Sequence, residues 1–271
     1  MQPGRNEPEP ILTLHAGDAT ATIHPGAGAR IGQISVAGQP LLVDVPPLGD
    51  RHPMAWGAYP MVPWAGRLAR GRFVFDGMER HVPINHHDGN GPERAHAIHG
   101  LGFDRAWEVV DVSGSTCRCA ISIDWEFGGT ASHTVSLFDD RIVMTLTVGS
   151  TGISFPAEVG WHPWFRKPDN LDVAPSAMYE RDEFGIPTGR LVDPSPRPWD
   201  DCFVNTEPVA LRYDRAVAPV LTVTSDCDHV VVFDEPDDAT CVEPQSGPPD
   251  AFNLTPHVVA PDLARTMSIS W

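Results

Sequence analysis

The sequence predicts an all-β protein, a large antiparallel β-sandwich with little helix. Three observations carry this. No stretch of ten or more residues keeps a 3.6-residue apolar period without Pro or Gly, which leaves no place for an ordinary helix. Short apolar and alternating runs recur from end to end, spaced by 28 prolines and 24 glycines. Successive runs are joined by turn-length spacers rather than helical crossovers, the pattern of hairpin-linked strands.

Residues 11–14 and 21–23 alternate weakly, and 29–36 read as a third strand. Residues 72–75, Arg-Phe-Val-Phe, run into Asp76-Gly77, a pair that tolerates the positive φ of a tight hairpin turn. Residues 107–112, 119–125, 132–137 and 142–148 form a meander, its last two strands separated by the turn signal Phe138-Asp139-Asp140-Arg141. Further strands are expected at 221–224, 230–233, 240–243 and 267–270. Residues 166–198 are rich in Pro and Asp and weakly periodic, and read as a long surface excursion.

At 271 residues and 29.5 kDa the chain can bury roughly three-quarters of its unfolded surface. No Gly/Ser linker or low-complexity divider interrupts it and no internal repeat is visible, so residues 1–271 read as a single domain. The net charge of −17, from 36 acidic against 19 basic residues, repels phosphate backbones and anionic lipid and argues against nucleic-acid or membrane partners. Residues 1–10 hold no apolar core of a signal peptide, and no apolar run approaches the ~20 residues that cross a bilayer. The five cysteines show no zinc spacing and read as reduced thiols of a cytoplasmic protein, with Cys117 and Cys119 sharing one face of a strand and Cys241 a packing residue.

Two segments carry the chemistry. In 160–165, Gly-Trp-His-Pro-Trp-Phe, His162 lies between Trp161 and Trp164, and Pro163 stiffens its exit. In 241–253, Glu243 is followed by Pro244, and a strand would turn Glu243 and Gln245 to the same face. Histidine and glutamate have ordinary pKa values of about 6.5 and 4.3, so near neutral pH one can donate and the other accept. His86, His87, His96 and His99 form a possible metal set of the cupin kind, but the paired His-x-His and the downstream ligands of such sites are missing. No metal or cofactor is expected.

Four segments together resemble the aldose 1-epimerase (galactose mutarotase-like) family. They are Tyr59-Pro-Met-Val-Pro-Trp-Ala-Gly-Arg67-Leu68 with Gly71-Arg72-Phe73, then His96-Ala-Ile-His99-Gly-Leu-Gly-Phe103 with Trp107, and the two segments above, in family order. The resemblance implies the galactose mutarotase-like supersandwich and interconversion of the α and β anomers of a sugar. It implies Glu243 as base, His162 as acid, and His99 as a second histidine toward the ring oxygen or an adjacent hydroxyl. It also implies an aspartate across the pocket, for which Asp200 in Trp199-Asp200-Asp201-Cys202-Phe203 is in register, with Asp201 one step away. Many members carry Asn before the arginine, where this chain has Gly66.

Chemically, opening a cyclic hemiacetal needs one group to take the anomeric hydroxyl proton and another to protonate the ring oxygen; two groups on opposite sides of the sugar would serve, and no metal or nucleotide is required. Arg67 offers a planar fork of donors to hydroxyls. Gln245 shares the ligand-facing surface with Glu243. One of Trp64, Trp161 and Trp164 is expected as an apolar platform, Trp164 being named with the site. The alternatives are a hexose-6-phosphate 1-epimerase holding phosphate with Arg67, Arg70 or Arg72, and a non-catalytic sugar-binding protein on the same fold. The partner is a small-molecule sugar, and the protein a monomer or homodimer.

Overall fold

The computed structural model describes residues 10–44, 52–204 and 208–271. The N-terminal segment, apart from Pro10, lies outside them.

Two sheets dominate, and their ladders are antiparallel throughout. The larger has eleven strands, ordered Leu12–Ala16, Ala19–His24, Arg30–Val36, Ala58–Met61, Gly160–Arg166, Ala239–Gln245, His229–Phe233, Asp200–Val204, Ala177–Arg181 and Pro187–Val192, with Gln39–Pro40 on the flank of the third. The smaller has eight, ordered Glu108–Ser113, Thr116–Ser122, Thr130–Leu137, Arg141–Gly149, Asp262–Ser270, Val220–Ser225, Val209–Arg212 and Asn170–Asp172. One α-helical turn, Ala251–Leu254, and three short 3-10 turns are the helices among the described residues. The expected sandwich is therefore present, and one buried apolar cluster, with members from both sheets, fills it.

Alternation builds that core. In Arg141–Gly149, Ile142, Met144, Leu146 and Val148 are buried while their neighbours are not. Thr130–Leu137 does the same with Ala131, His133, Val135 and Leu137. The hairpin Arg72–Phe75 to Met78–His81 turns at Asp76 and Gly77, with φ of 51° and 73°. Cys117 and Cys119 share one face, their sulfurs 3.7 Å apart, and all five cysteines are buried.

Three expectations are corrected. The strand placed at 119–125 spans Thr116–Ser122, because residues from Ile123 onward turn: Trp125 N–H donates to the Ile123 carbonyl and Gly128 N–H to the Trp125 carbonyl. The surface excursion of 166–198 contains three strands, Asn170–Asp172, Ala177–Arg181 and Pro187–Val192, that extend the edges of both sheets. Central strands Ala58–Met61, Gly160–Arg166 and Asp200–Val204 have no counterpart among the strands expected from the pattern.

Candidate active site

The centre of the larger sheet positions the site. Gly160–Arg166 pairs with Ala239–Gln245 in one register, joining Gly160 to Gln245, Trp164 to Cys241 and Phe165 to Thr240. That register brings His162 opposite Glu243. The ladder is interrupted across the intervening residues, where Pro163 and Pro244 stand. Neither proline has an N–H to give, so the backbone bonds lapse where the two candidate side chains meet.

The two-residue period of a strand then sorts side chains between the faces. His162 and Trp164 turn to the cleft. Trp161 and Phe165, each fully buried, turn into the sandwich, where Trp161 Nε1 donates to His133 Nε2 at 3.2 Å. On the neighbouring strand Glu243 and Gln245 share the cleft face, and Gln245 Nε2 donates to Glu243 Oε2 at 3.3 Å.

The cleft encloses about 410 Å³, within the range of small-ligand sites. Glu243, His162, His99, Arg67, Asp200, Gln245 and Trp164 all line it. His162 Nε2 and Glu243 Oε1 lie 3.3 Å apart, nearly closed off from solvent. The acid and base candidates are thus adjacent rather than on opposite sides of a ligand. In a cyclic hemiacetal the hydroxyl oxygen and the ring oxygen are bonded to the same carbon, so two adjacent groups could address both.

His162 is clamped between rings. Trp164 stacks on it at 5.3 Å with planes 6° apart, Tyr59 stacks at 4.9 Å, and His99 meets it edge-on at 4.9 Å. Of the three candidate platform tryptophans, Trp164 alone reaches the cleft; Trp64 packs on Phe252 and Trp161 belongs to the core. His99 is held at a φ of 61°, followed by Gly100, whose missing side chain leaves room for the Val62 carbonyl.

One wall is a chain of alternating charge. Arg67 Nε donates to Asp88 Oδ2 at 3.0 Å, and its Nη2 lies 3.6 Å from Asp200 Oδ2. Arg181 reaches the same Asp200 oxygen with Nη1 at 3.1 Å and Asp201 Oδ1 with Nε at 2.9 Å. His86 Nε2 sits 2.5 Å from Asp88 Oδ1. Asp200 and Asp201 both line the cleft. Arg181 carried no signal in the sequence, because it lies in the weakly periodic 166–198 segment. Arg70 and Arg72, proposed with Arg67 as phosphate holders, open into a separate hollow with Glu79, Asp182 and Asp250.

Gly66 has a φ of 61°, and a β-carbon there would come within 2.9 Å of Pro249 Cβ. Pro249 therefore fills the wall where a side chain at position 66 would stand. Asp250 pins the arginine segment from below, donating its N–H to the Arg67 carbonyl at 2.6 Å and accepting from Ala69 N–H at 2.8 Å.

Burial dominates the electrostatics. It pushes the Glu243 carboxyl well above the usual carboxylate range, with Asp200 adding to the rise and Arg67 and Gln245 opposing it. It lowers His162 to about 3, with the Arg30 charge adding to the fall. His99 is lowered well below its usual value by burial, then by His162 and Arg67. Both shifts of the central pair favour its neutral form, with the shared proton on Glu243. A buried carboxyl that ionises reluctantly is a stronger base once ionised, and a buried imidazolium is a stronger acid once formed.

Among the described residues one cluster, His162, Cys241 and Glu243, brings three metal-type donor atoms within 4.8 Å of one another. We assign no metal centre to it. Two of its three donors are the acid and base candidates, which a bound cation would occupy, and the Cys241 thiol, raised in pKa by burial, would have to lose its proton on binding. The His86, His87, His96 and His99 set does not come together as such a cluster among the described residues.

A family model described as aldose 1-epimerase matches residues 10–268. Two uncharacterized proteins of Escherichia coli K12 are relatives: YihR, 27% identical over 159 residues, covering 56% of this chain and 49% of YihR, and YphB, 31% identical over 109 residues, covering 40% of this chain and 36% of YphB. The matches span at most about half the length of these curated relatives. Among solved structures, a putative aldose 1-epimerase from Escherichia coli K12 superposes with a TM-score of 0.82 at 20% identity, covering 96% of this chain and 98% of the other. A galactose 1-epimerase from Lactobacillus acidophilus NCFM gives 0.78 at 14% identity, covering 100% and 97%. At such identities these structures show a shared fold.

Proposed function

The chain belongs to the aldose 1-epimerase family, and from that premise we propose that it interconverts the α and β anomers of an aldose by cofactor-independent ring opening and closing. The observation that carries the reading is the 3.3 Å approach of His162 Nε2 to Glu243 Oε1 in a cleft walled by Arg67, Asp200, Gln245 and His99.

In this reading the sugar seats its anomeric carbon over the pair. The Glu243 carboxylate takes the proton of the anomeric hydroxyl, and the freed electron pair forms the carbonyl. The bond from C1 to the ring oxygen breaks, and that oxygen takes its electrons and the proton of His162 Nε2. The result is an open-chain aldehyde, neutral His162 and protonated Glu243. Rotation about C1–C2 presents the other carbonyl face. The hydroxyl then attacks C1, His162 recovers its proton, and Glu243 returns one to the new anomeric oxygen. The pair carries the same number of protons at start and finish.

The surroundings support each step. Arg67 and the Gln245 amide stabilise the carboxylate form that burial disfavours. Rings on His162 fix the direction of Nε2. Asp200 keeps acceptor capacity for sugar hydroxyls while Arg181 holds it in place. Trp164 offers an apolar edge. The partner is a small neutral sugar rather than a nucleic acid, in keeping with a net charge of −17. Among the described residues, no helix is long and apolar enough to cross a membrane.

Polarimetry of freshly dissolved α-D-glucose and α-D-galactose tests the reading. Wild type should shorten the approach to equilibrium and Glu243→Gln should not. Acceleration that survives in the variant would remove Glu243 as the base; no acceleration by wild type on these sugars or on hexose 6-phosphates would favour a sugar-binding protein.

A further inference from the structure

One charged side chain near the pair has no part in the mechanism above. Arg30, the first residue of the strand Arg30–Val36, is 1% exposed. Each of its three nitrogens donates to a backbone carbonyl: Nε to Ala27 at 2.9 Å, Nη1 to Trp56 at 2.9 Å and Nη2 to Phe103 at 3.1 Å. Carbonyls bond the guanidinium without neutralising it, and Tyr59 and the exposed Asp104 carboxylate favour its charged form, so a positive charge is held inside the protein. Burying such a charge is costly, and burial lowers even this guanidinium to about 10.

The charge is placed against the site through rings. The guanidinium carbon lies 4.1 Å from the centre of the Trp56 ring and 4.9 Å from that of Tyr59. Tyr59 is fully buried and stacks on His162 at 4.9 Å. Phe103, whose carbonyl holds Nη2, packs on both Tyr59 and His99. We propose that Arg30 is a positioning residue of the reaction, presenting a fixed charge to His162 from beside Tyr59 and fixing the ring against which His162 stacks. This rests on the reading of His162 as the acid.

The groups that face His162 are Glu243 across the ladder, Cys241 beside it, His99 at its edge and Tyr59 on its face. Arg67 and Asp200 act on Glu243 from the wall. Against these, Arg30 adds one positive charge that no sugar can displace. It disfavours a second proton on the pair and eases loss of the last one. The singly protonated pair is the working state, so removing the charge should move both limbs of the pH–rate profile to higher pH. A unit charge about one stacked ring away gives a displacement of about one pH unit.

The test compares pH profiles of kcat/KM for mutarotation in wild type, Arg30→Gln and Arg30→Lys. Arg30→Gln should move both limbs up by about one unit; Arg30→Lys, which keeps the charge, should leave them near the wild-type positions. Limbs that stay put in Arg30→Gln while rate and thermal midpoint fall would reduce Arg30 to a packing residue, and an equal shift in Arg30→Lys would do the same. Nitrogen-15 NMR of the imidazoles gives a second readout in whichever of Arg30→Gln and Arg30→Met folds: the protonation midpoint of His162 should rise relative to wild type, and an unmoved midpoint overturns the proposal. The NMR arm needs no turnover, so it separates failure of this inference from failure of the mutarotase reading.

Discussion

Trp161 Nε1 donates to His133 Nε2 across the sandwich, and His133 in turn gives its Nδ1 proton to the Ala29 carbonyl at 3.0 Å. This bond ties the strand that carries His162 to the opposite sheet. It also fixes one tautomer, because Nε2 must accept.

Protonating His133 would set two donors against each other in a fully buried place, and burial lowers its pKa from 6.5 to about 4. The unfolded chain therefore binds the extra proton first. The His133 contribution is intact above pH 6.5 and is lost as pH falls toward 4, by on the order of 3 kcal/mol. His162 and His99 act in the same direction, while Glu243 and Glu158, both raised by burial, lose stabilisation as pH rises from their ordinary values. The difference is the readout: urea midpoints of His133→Phe should depend less on pH between 4 and 6.5 than those of wild type. Equal slopes would show that His133 titrates normally.

Glu243 and His162 should behave as one catalytic unit. Each of Glu243→Gln and His162→Gln is expected to lower kcat by about 10²–10⁴-fold, and the double variant should be little worse than either. Multiplying losses, measured by polarimetry at matched sugar concentration, would mean that the two act independently.

Arg181 holds Asp200 and Asp201 without lying against the acid–base pair. Arg181→Ala should raise KM by about tenfold, the effect of one charge-assisted hydrogen bond, with kcat changed much less. A fall confined to kcat would contradict a role in positioning the wall.

Gly66 meets two constraints together, a positive φ and the flank of Pro249. Gly66→Ala should lower stability by about 1–3 kcal/mol in denaturant melts. Gly66→Asn should be better tolerated when combined with Pro249→Gly, since Asn accepts a left-handed backbone and glycine removes the β-carbon that its side chain would meet. An Asn variant that is equally stable with Pro249 present would show that the loop simply moves aside.

Much of this was legible in the sequence, for identifiable reasons. The meander strands bury one face only, so Ile142, Met144, Leu146 and Val148 alternate visibly. Asp76-Gly77 marked its hairpin. The strands of the site hid because both of their faces are covered, one by the core and one by the cleft. Ala58–Met61 is buried at every position and Gly160–Arg166 nearly so, which erases alternation, and Pro163 argues locally against a strand. His162 and Glu243 could be picked out by their flanking residues, but their direct opposition depends on a register between segments about 80 residues apart. Arg30 gave no sign at all: its meaning lies in three carbonyls and two rings drawn from distant stretches.

The stacking of His162 on Trp164, with planes 6° apart, makes the reacting imidazole the neighbour of a natural fluorophore. An indole's emission answers to the electron demand of whatever lies against it, and a protonated imidazole draws more strongly than a neutral one. Of the eight tryptophans, Trp164 would thus serve as an optical gauge of the proton on His162 and, on the proposed reading, of a sugar settling beside it. The difference spectrum between wild type and Trp164→Phe would isolate that signal, so occupancy of the cleft becomes visible at equilibrium, without following a rotation of light.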